Sequence, residues 1–147
     1  MTTSDLRLLD SNILIYSHQA LSKFHTQSRT LFEKGLRGEL PLCICPQVLF
    51  EFYSVITNPR RVTSPVSPKE ATQEVERYLR TKNIFSVYPK DDILSIALDL
   101  LKKYEVKDRE IFDLQLVATM LSNNINRLYT FNHDDFIKFK EIEVLSP

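Results

Sequence analysis

Short apolar runs alternate with stretches of helical periodicity along the whole chain, and few architectures accommodate that pattern. The runs are residues 6–10 (LRLLD), 42–45 (LCIC), 84–88 (IFSVY), 127–130 (RLYT) and 143–145 (EVL). Each is too short for a helix and is bounded by turn or polar residues, so each reads as a strand. Between them a helix is expected from about Asn12, and another over 23–36 that closes near Gly35 and Gly38. Pro46 opens a third at its first turn, where a missing N–H costs nothing, and that helix runs to about Thr57. Residues 57–68 (TNPRRVTSPVSP) hold three prolines and form a loop. The loop ends in Ser67-Pro-Lys-Glu70, a capping-box spacing with proline at the first helical position. The helix it starts carries Ala71, Val75, Tyr78 and Leu79 on one face. Asp91 or Asp92 caps the next, with Ile93, Ala97, Leu100, Leu101 and Tyr104 on one stripe. Two more helices are expected over about 110–122 and 134–138. Strands that alternate with helices pair in parallel beneath helices on both faces. The expectation is therefore an α/β fold, one three-layer α/β/α domain spanning residues 1–147.

Composition narrows the partners more than the fold. With 43% hydrophobic and 26% charged residues the chain is ordinary globular protein, without repeats or low-complexity tracts. Lys plus Arg and Asp plus Glu number 19 each, so no net field draws it to a polyanion. A nucleic-acid partner would need a local basic patch or a metal ion that bridges to phosphate. The N-terminus, MTTSDLRLLD, has neither the charged region nor the apolar region of a signal peptide. No apolar run approaches the roughly 18 residues that span a membrane, so no membrane partner is expected and a cytoplasmic location is. Cys43 and Cys45 alternate with period two, which expects one of the two to pack in a core, and both read as buried or half-buried structural thiols. His18, His25 and His133 have no metal-ligand spacing, and His133 reads as an exposed loop histidine.

Aspartate is depleted in strands and costly to bury unpaired, yet RLLDSNILIY (7–16) puts Asp10 where a buried strand ends. Helix capping is the ordinary reading, and a metal ligand the sharper one. In an open parallel sheet, ligands bind outside the carboxyl ends of the strands, and other acids fall at the same rim. Glu51 lies about a turn into the helix after the second strand. There LFEFYSVI leaves only Gln47, Glu51, Ser54 and Asn58 as a thin polar stripe. Asp113 opens an almost wholly apolar helix, and Asp134 or Asp135 follows the fourth strand. Each acid taken singly could be a cap or a solvated charge. Crowded together they would repel, unless a divalent cation sat among them. Carboxylate, amide and water oxygens without Cys or His suit Mg²⁺ or Mn²⁺.

These stretches, LLDSNILIY, the Glu of PQVLFEFYSVITNPRR, IFDLQLVATML and TFNHDDF, resemble a PIN domain, specifically the VapC-like ribonuclease toxins. The resemblance runs from about Leu8 to Pro147 with the motifs in the family's order. It implies a parallel sheet of order 3-2-1-4-5, a Mg²⁺- or Mn²⁺-dependent endoribonuclease, a cognate antitoxin and a homodimer. It carries the acidic positions onto Asp10, Glu51, Asp113 and Asp135, the N-x-x-D-F spacing selecting Asp135 over Asp134. Asp10 and Asp113 would bind the ion directly, with Glu51 and Asp135 acting through water or on a second ion. Asn12, Thr130 and Asn132 would be supporting groups, Thr130 and Asn132 orienting Asp135 and the water. Arg60, Arg61, Lys107 and Arg109 are candidates for RNA phosphate, and Phe50, Phe52 and Tyr53 for pairing of copies. The alternative is a catalytically silent RNA- or protein-binding module. A receiver-like phosphoacceptor would want an acidic pair after strand one and a lysine ending a late strand. A haloacid-type phosphatase would want Asp-x-Asp where this chain has Asp-Ser-Asn.

Overall fold

The computed structural model describes residues 5–147, so Met1–Ser4, part of the stretch read for a signal peptide, lie outside it. Five strands form one parallel sheet: β1 (Arg7–Leu9), β2 (Leu42–Ile44), β3 (Ile84–Ser86), β4 (Arg127–Tyr129) and β5 (Glu143–Leu145). Their order is β3-β2-β1-β4-β5, as the resemblance implied. The register sets Leu8 beside Cys43 on one side and Leu128 on the other. Pairing outruns the strand bounds by a residue: Asp10 N–H donates to Tyr129 O at 3.0 Å, and Val87 N–H to Ile44 O at 2.9 Å.

Each crossover carries helices. Helices α1 (Ser11–His18) and α2 (His25–Leu36) follow β1, while α3 (Pro46–Ile56) and α4 (Pro68–Arg80) follow β2. Helices α5 (Ile93–Lys103) and α6 (Glu110–Ser122) lead into β4, and the short α7 (His133–Phe136) joins β4 to β5. Helices α1 to α4 pack on one another, and α5 packs on α6. Right-handed crossovers that step from β1 to β2 to β3 in one direction, and then from β3 back past β1 to β4 in the other, put these two sets on opposite faces, giving α/β/α layers. The strand order reverses between β1 and β4, which is the switch point where such sheets open a crevice.

The inner strand β2 is buried on both faces, while β3 and β5 keep exposed positions, so both cysteines are buried structural thiols where one was expected in the core. Both Cys43 and Cys45 are buried, because β2 lies between two strands with helices above and below. Phe52 is also fully buried, edge-on to Tyr78 at 5.5 Å and to His18 at 5.8 Å, so it is core rather than a pairing surface. Of the three aromatics read for pairing, only Phe50, 76% exposed, stands out from α3. Ser67 caps α4, its side chain accepting from Glu70 N–H at 3.1 Å. Asp92 occupies the cap position of α5 but makes no capping bond. Its carboxylate instead accepts from Ser122 Oγ at 2.6 Å, clasping the start of α5 to the end of α6. Among the described residues no helix is long and apolar enough to cross a membrane.

Gly35 marks the closest approach of α2 to the sheet. A Cβ there would lie 2.6 Å from Leu42 Cδ1 and 2.9 Å from Ile84 Cδ1, both on buried strand residues. Alanine would bring about 1 kcal/mol of helix propensity, but overpacking a dense core costs ~1–3 kcal/mol. Gly35→Ala is therefore expected to lower stability by about 1 kcal/mol, read as a lower urea midpoint at unchanged slope. A midpoint equal to wild type would show that Leu42 and Ile84 have room to move.

Candidate active site

Asp10 ends β1 with its carboxylate held from three sides. Oδ1 accepts from Ser11 N–H at 2.8 Å, while Oδ2 accepts from Thr130 Oγ1 at 2.8 Å and from Asn12 Nδ2 at 3.4 Å. The Thr130 hydroxyl also receives Asn132 N–H at 2.9 Å and Asn12 Nδ2 at 3.1 Å. Two donors already point at its oxygen, so its one proton is directed at Asp10. Asn12 completes the link by accepting from Phe131 N–H at 3.3 Å. Phe131 is itself fixed by stacking on Phe24 at 4.5 Å and by an edge contact with Tyr16 at 5.2 Å. Asp10 does stand at the N-cap of α1, but its bond reaches the first N–H rather than the second or third.

Thr130 therefore does not orient Asp135, as the resemblance had suggested; its hydroxyl belongs to Asp10. Asp135 is placed by its backbone, whose N–H donates to the carbonyl of Asn132 at 3.1 Å. Within the acidic doublet the two side chains part company. Asp134 projects fully into solvent, 4.0 Å from the half-buried His133, whereas the charge of Asp135 acts on both Asp10 and Asp113.

A cleft of about 360 Å³ opens above the switch point. It is lined by Asp10, Glu51, Asp113 and Asn132, with Arg61 and Arg109 on its wall. Gln47 and Ser54 line it too, so the polar stripe of α3 is the edge of the helix that faces the cleft. Of the four expected phosphate contacts, the fold brings in these two arginines and leaves out the others. Arg60 is exposed in the loop, and Lys107 is paired with Glu105 at 3.4 Å. Three further residues had carried no functional reading in the sequence. Gln47 Nε2 donates to Phe112 O at 2.8 Å, tying α3 to the first turn of α6 beside Asp113. Phe112 lines the cleft with its ring 57% exposed. Lys138 pairs with Glu110 at 2.7 Å and sends a favourable field to Asp113.

Electrostatics record the crowding. Burial raises Asp10 most; the Thr130 and Ser11 hydrogen bonds oppose it, and the charges of Glu51 and Asp135 add to it, leaving the carboxyl at about 6. Asp113 is also raised to about 6, by burial first and then by Asp135, Asp10 and Glu51. The cysteine thiols below the rim are pushed the same way, Cys45 to about 11, chiefly by burial. They offer no thiolate to an ion.

The donors facing the cleft are hard oxygens, the set that suits Mg²⁺ or Mn²⁺. As the side chains stand, no three Asp, Glu, His or Cys among the described residues form a group that could hold an ion. Mg²⁺ keeps several of its waters and is commonly held through one or two carboxylates, so it does not require such a cage. Asp10 and Asp113 fit that demand, because raised carboxyls are those that gain most from a nearby cation.

A parallel sheet of this order with acids gathered over its switch point defines a class, and the PIN-domain family model matches residues 7–142: the chain belongs to that family. Among its relatives is ribonuclease VapC43 of Mycobacterium tuberculosis, 31% identical over 116 residues that cover 79% of each chain. Two solved structures share the fold. VapC20 of Mycobacterium tuberculosis, a sarcin–ricin loop cleaving toxin, superposes with a TM-score of 0.66 at 15% identity, covering 91% of this chain and 95% of that one. VapBC2 from Rickettsia felis, bound to a promoter DNA fragment, superposes at 0.67 with 14% identity, covering 97% and 98%.

The raised carboxyls make the metal-free protein pay for its cleft. Unfolded, these groups lose their protons near 3.8; folded, near 6. Between those values the folded state binds more protons, so stability falls as pH rises through the window and the cost is complete above it. A shift of two units is worth about 3 kcal/mol, which the partial exposure of Asp113 reduces to about 1 kcal/mol. Without metal, Asp113→Asn is expected to exceed wild type by that amount at pH 7.5, and the gain should fade by pH 4. Equal urea midpoints at pH 7.5 would show that burial and the neighbouring charges do not raise Asp113.

Proposed function

We propose that the chain is a Mg²⁺- or Mn²⁺-dependent endoribonuclease that hydrolyses RNA phosphodiesters, the toxin of a toxin–antitoxin pair. One observation carries this reading: four carboxylates act on one cleft that two arginines also line, in a chain 31% identical to a named ribonuclease. Acids alone repel a phosphodiester. Acids that hold a cation, flanked by guanidinium groups, can bind one.

Asp10 and Asp113 would hold the ion, and Glu51 and Asp135 would act on its water shell. When bound, such an ion polarises the phosphate and lowers the pKa of a coordinated water. The rest falls to the chain. Thr130 and Ser11 lock the Asp10 carboxylate in one orientation, so it needs no rearrangement when substrate arrives. Glu51 and Asp135, both on exposed residues, can orient the attacking water and accept hydrogen bonds from it. Arg61 and Arg109 contact phosphate, where the guanidinium fork suits paired oxygens.

The partner would be an antitoxin protein that blocks the cleft, a reading supported by the likeness to a solved toxin–antitoxin complex from Klebsiella pneumoniae. A second copy of the chain would pair along α5, whose Leu94, Leu98 and Leu101 are exposed at helical spacing. The RNA substrate puts its site of action in the cytoplasm.

Purified protein is expected to cleave RNA with Mg²⁺ or Mn²⁺, to stop in EDTA, and to lose at least about 100-fold in kcat on Asp113→Asn, a few kcal/mol of barrier. Activity that survives Asp113→Asn would overturn the site. An intact fold by circular dichroism without cleavage under either ion would favour the silent module. Arg61→Ala should weaken RNA binding and reduce its salt slope by about one, while Arg60→Ala should leave the slope unchanged. Equal slopes for Arg61→Ala and wild type would remove Arg61 from the interface.

A further inference from the structure

Beside the acidic cleft lies a second cavity, of about 300 Å³, to which no role has yet been given. Its walls include Pro46, Gln47, Phe50, Pro89, Phe112 and Gln115. Gln47 and Phe112 line both cavities, so the two are adjoining chambers. Their chemistry differs sharply. The cleft carries acids and arginines; no Asp, Glu, Lys or Arg lines the second chamber. Two aromatic rings stand there unusually bare, Phe50 at 76% and Phe112 at 57% exposed. Between them are amides. Gln115 is exposed, whereas Gln47 spends its Nε2 on Phe112 O and has its Oε1 buried.

A nucleotide divides in the same way. Its phosphate is charged and polar, while its base is an uncharged ring with two π-faces and a hydrogen-bonding edge. Phe112 immediately precedes Asp113 and lies three residues after Arg109, so a base stacked on it would belong to a nucleotide whose phosphate lies in the cleft. A base can reach such a chamber only if it is unpaired and splayed from its neighbours, the form in which proteins commonly read RNA. Stacking on an aromatic side chain is worth about 1–3 kcal/mol per base, or roughly 5- to 150-fold in affinity.

We propose that the Phe50–Phe112 chamber is a nucleobase subsite. It takes the unpaired base of a nucleotide flanking the scissile phosphate, stacked on Phe112, with the Gln115 amide facing its edge and Gln47 holding the Phe112 backbone in place. The proposal rests on the ribonuclease reading and deepens it: one base beside the cut leaves the stack and is held in its own chamber, apart from the phosphate.

The test compares an oligoribonucleotide cut by the full chain with copies that carry an abasic nucleotide at each position flanking the cut. Binding is measured on the Asp113→Asn protein and cleavage on wild type, each with and without Phe112→Leu, which keeps an apolar side chain and removes the π-face. Removing one particular base should weaken binding and kcat/KM at least 5-fold. Phe112→Leu should cost the intact strand a similar factor while leaving the abasic strand nearly unaffected, so that discrimination between them disappears.

Equal losses on intact and abasic strands would overturn the subsite, as would full discrimination retained by Phe112→Leu. A change in sedimentation that tracks the loss would also overturn it, by showing that the ring packs between copies. Failure of the ribonuclease reading appears separately, as absence of metal-dependent cleavage by wild type. With no cut to mark the position, the abasic nucleotide is moved along a bound strand one place at a time, and the subsite stands or falls on whether any place shows the Phe112-dependent loss of binding.

Discussion

The hydrogen bond from Thr130 to Asp10 joins the ends of the two central strands, and the geometry of the cleft depends on it. Its proton has a single destination, because the other sites on the Thr130 oxygen are filled by donors from Asn132 and Asn12. A buried carboxylate is thereby held in one pose at the point where the sheet reverses its order. Glu51 and Asp113 come to the same rim on helices α3 and α6, which Gln47 fastens to each other. The sheet supplies the floor and the helix starts supply the walls.

That arrangement works against stability. Well-hydrated carboxylates would cost nothing, but Asp10 and Asp113 are drawn out of water and set within reach of other negative charges. The packed interior offsets this cost: the largest fully buried side chains include Phe52, Phe136 and Phe139. Phe136 and Phe139 lie just beyond Asp135, so the segment carrying the last acid is anchored by apolar burial while the acid itself stays exposed. Rigid support with an exposed charge is what a preorganised binding site requires.

Much of this was legible in the sequence. The alternating runs gave the layers because period and length distinguish strand from helix, and most element bounds agree with the structure to within two residues. Strand order was not derivable that way and came from the resemblance. Most of the misread features share one cause, a contact made far along the chain. Asp92 has the look of a cap, but Ser122 captures its carboxylate from thirty residues away. Phe50 and Phe52 look alike in the apolar run LFEFYSVI, and only helical spacing, which sets Phe50 beside Gln47 and Ser54 but Phe52 among Val48, Leu49, Val55 and Ile56, tells the outer ring from the inner one. Arg60 and Arg61 are neighbours in one loop, and only its folded path decides which reaches the cleft. Gln47 did carry a signal, since it lies on the thin polar edge of α3 with Glu51, four residues on.

The bond that closes the site spans 120 residues, from Asp10 near the start of the chain to Thr130 near its end. Synthesis proceeds from the N-terminus, so β1 can find β2 before β4 and β5 have been made. A growing chain therefore carries Asp10 without Thr130, and Glu51 without Asp113 or Asp135, until all the intervening helices have emerged. The carboxylates cannot converge before α6, β4 and α7 exist. The topology thus acts as a delay, keeping a destructive centre unassembled while the chain's own message is still being read.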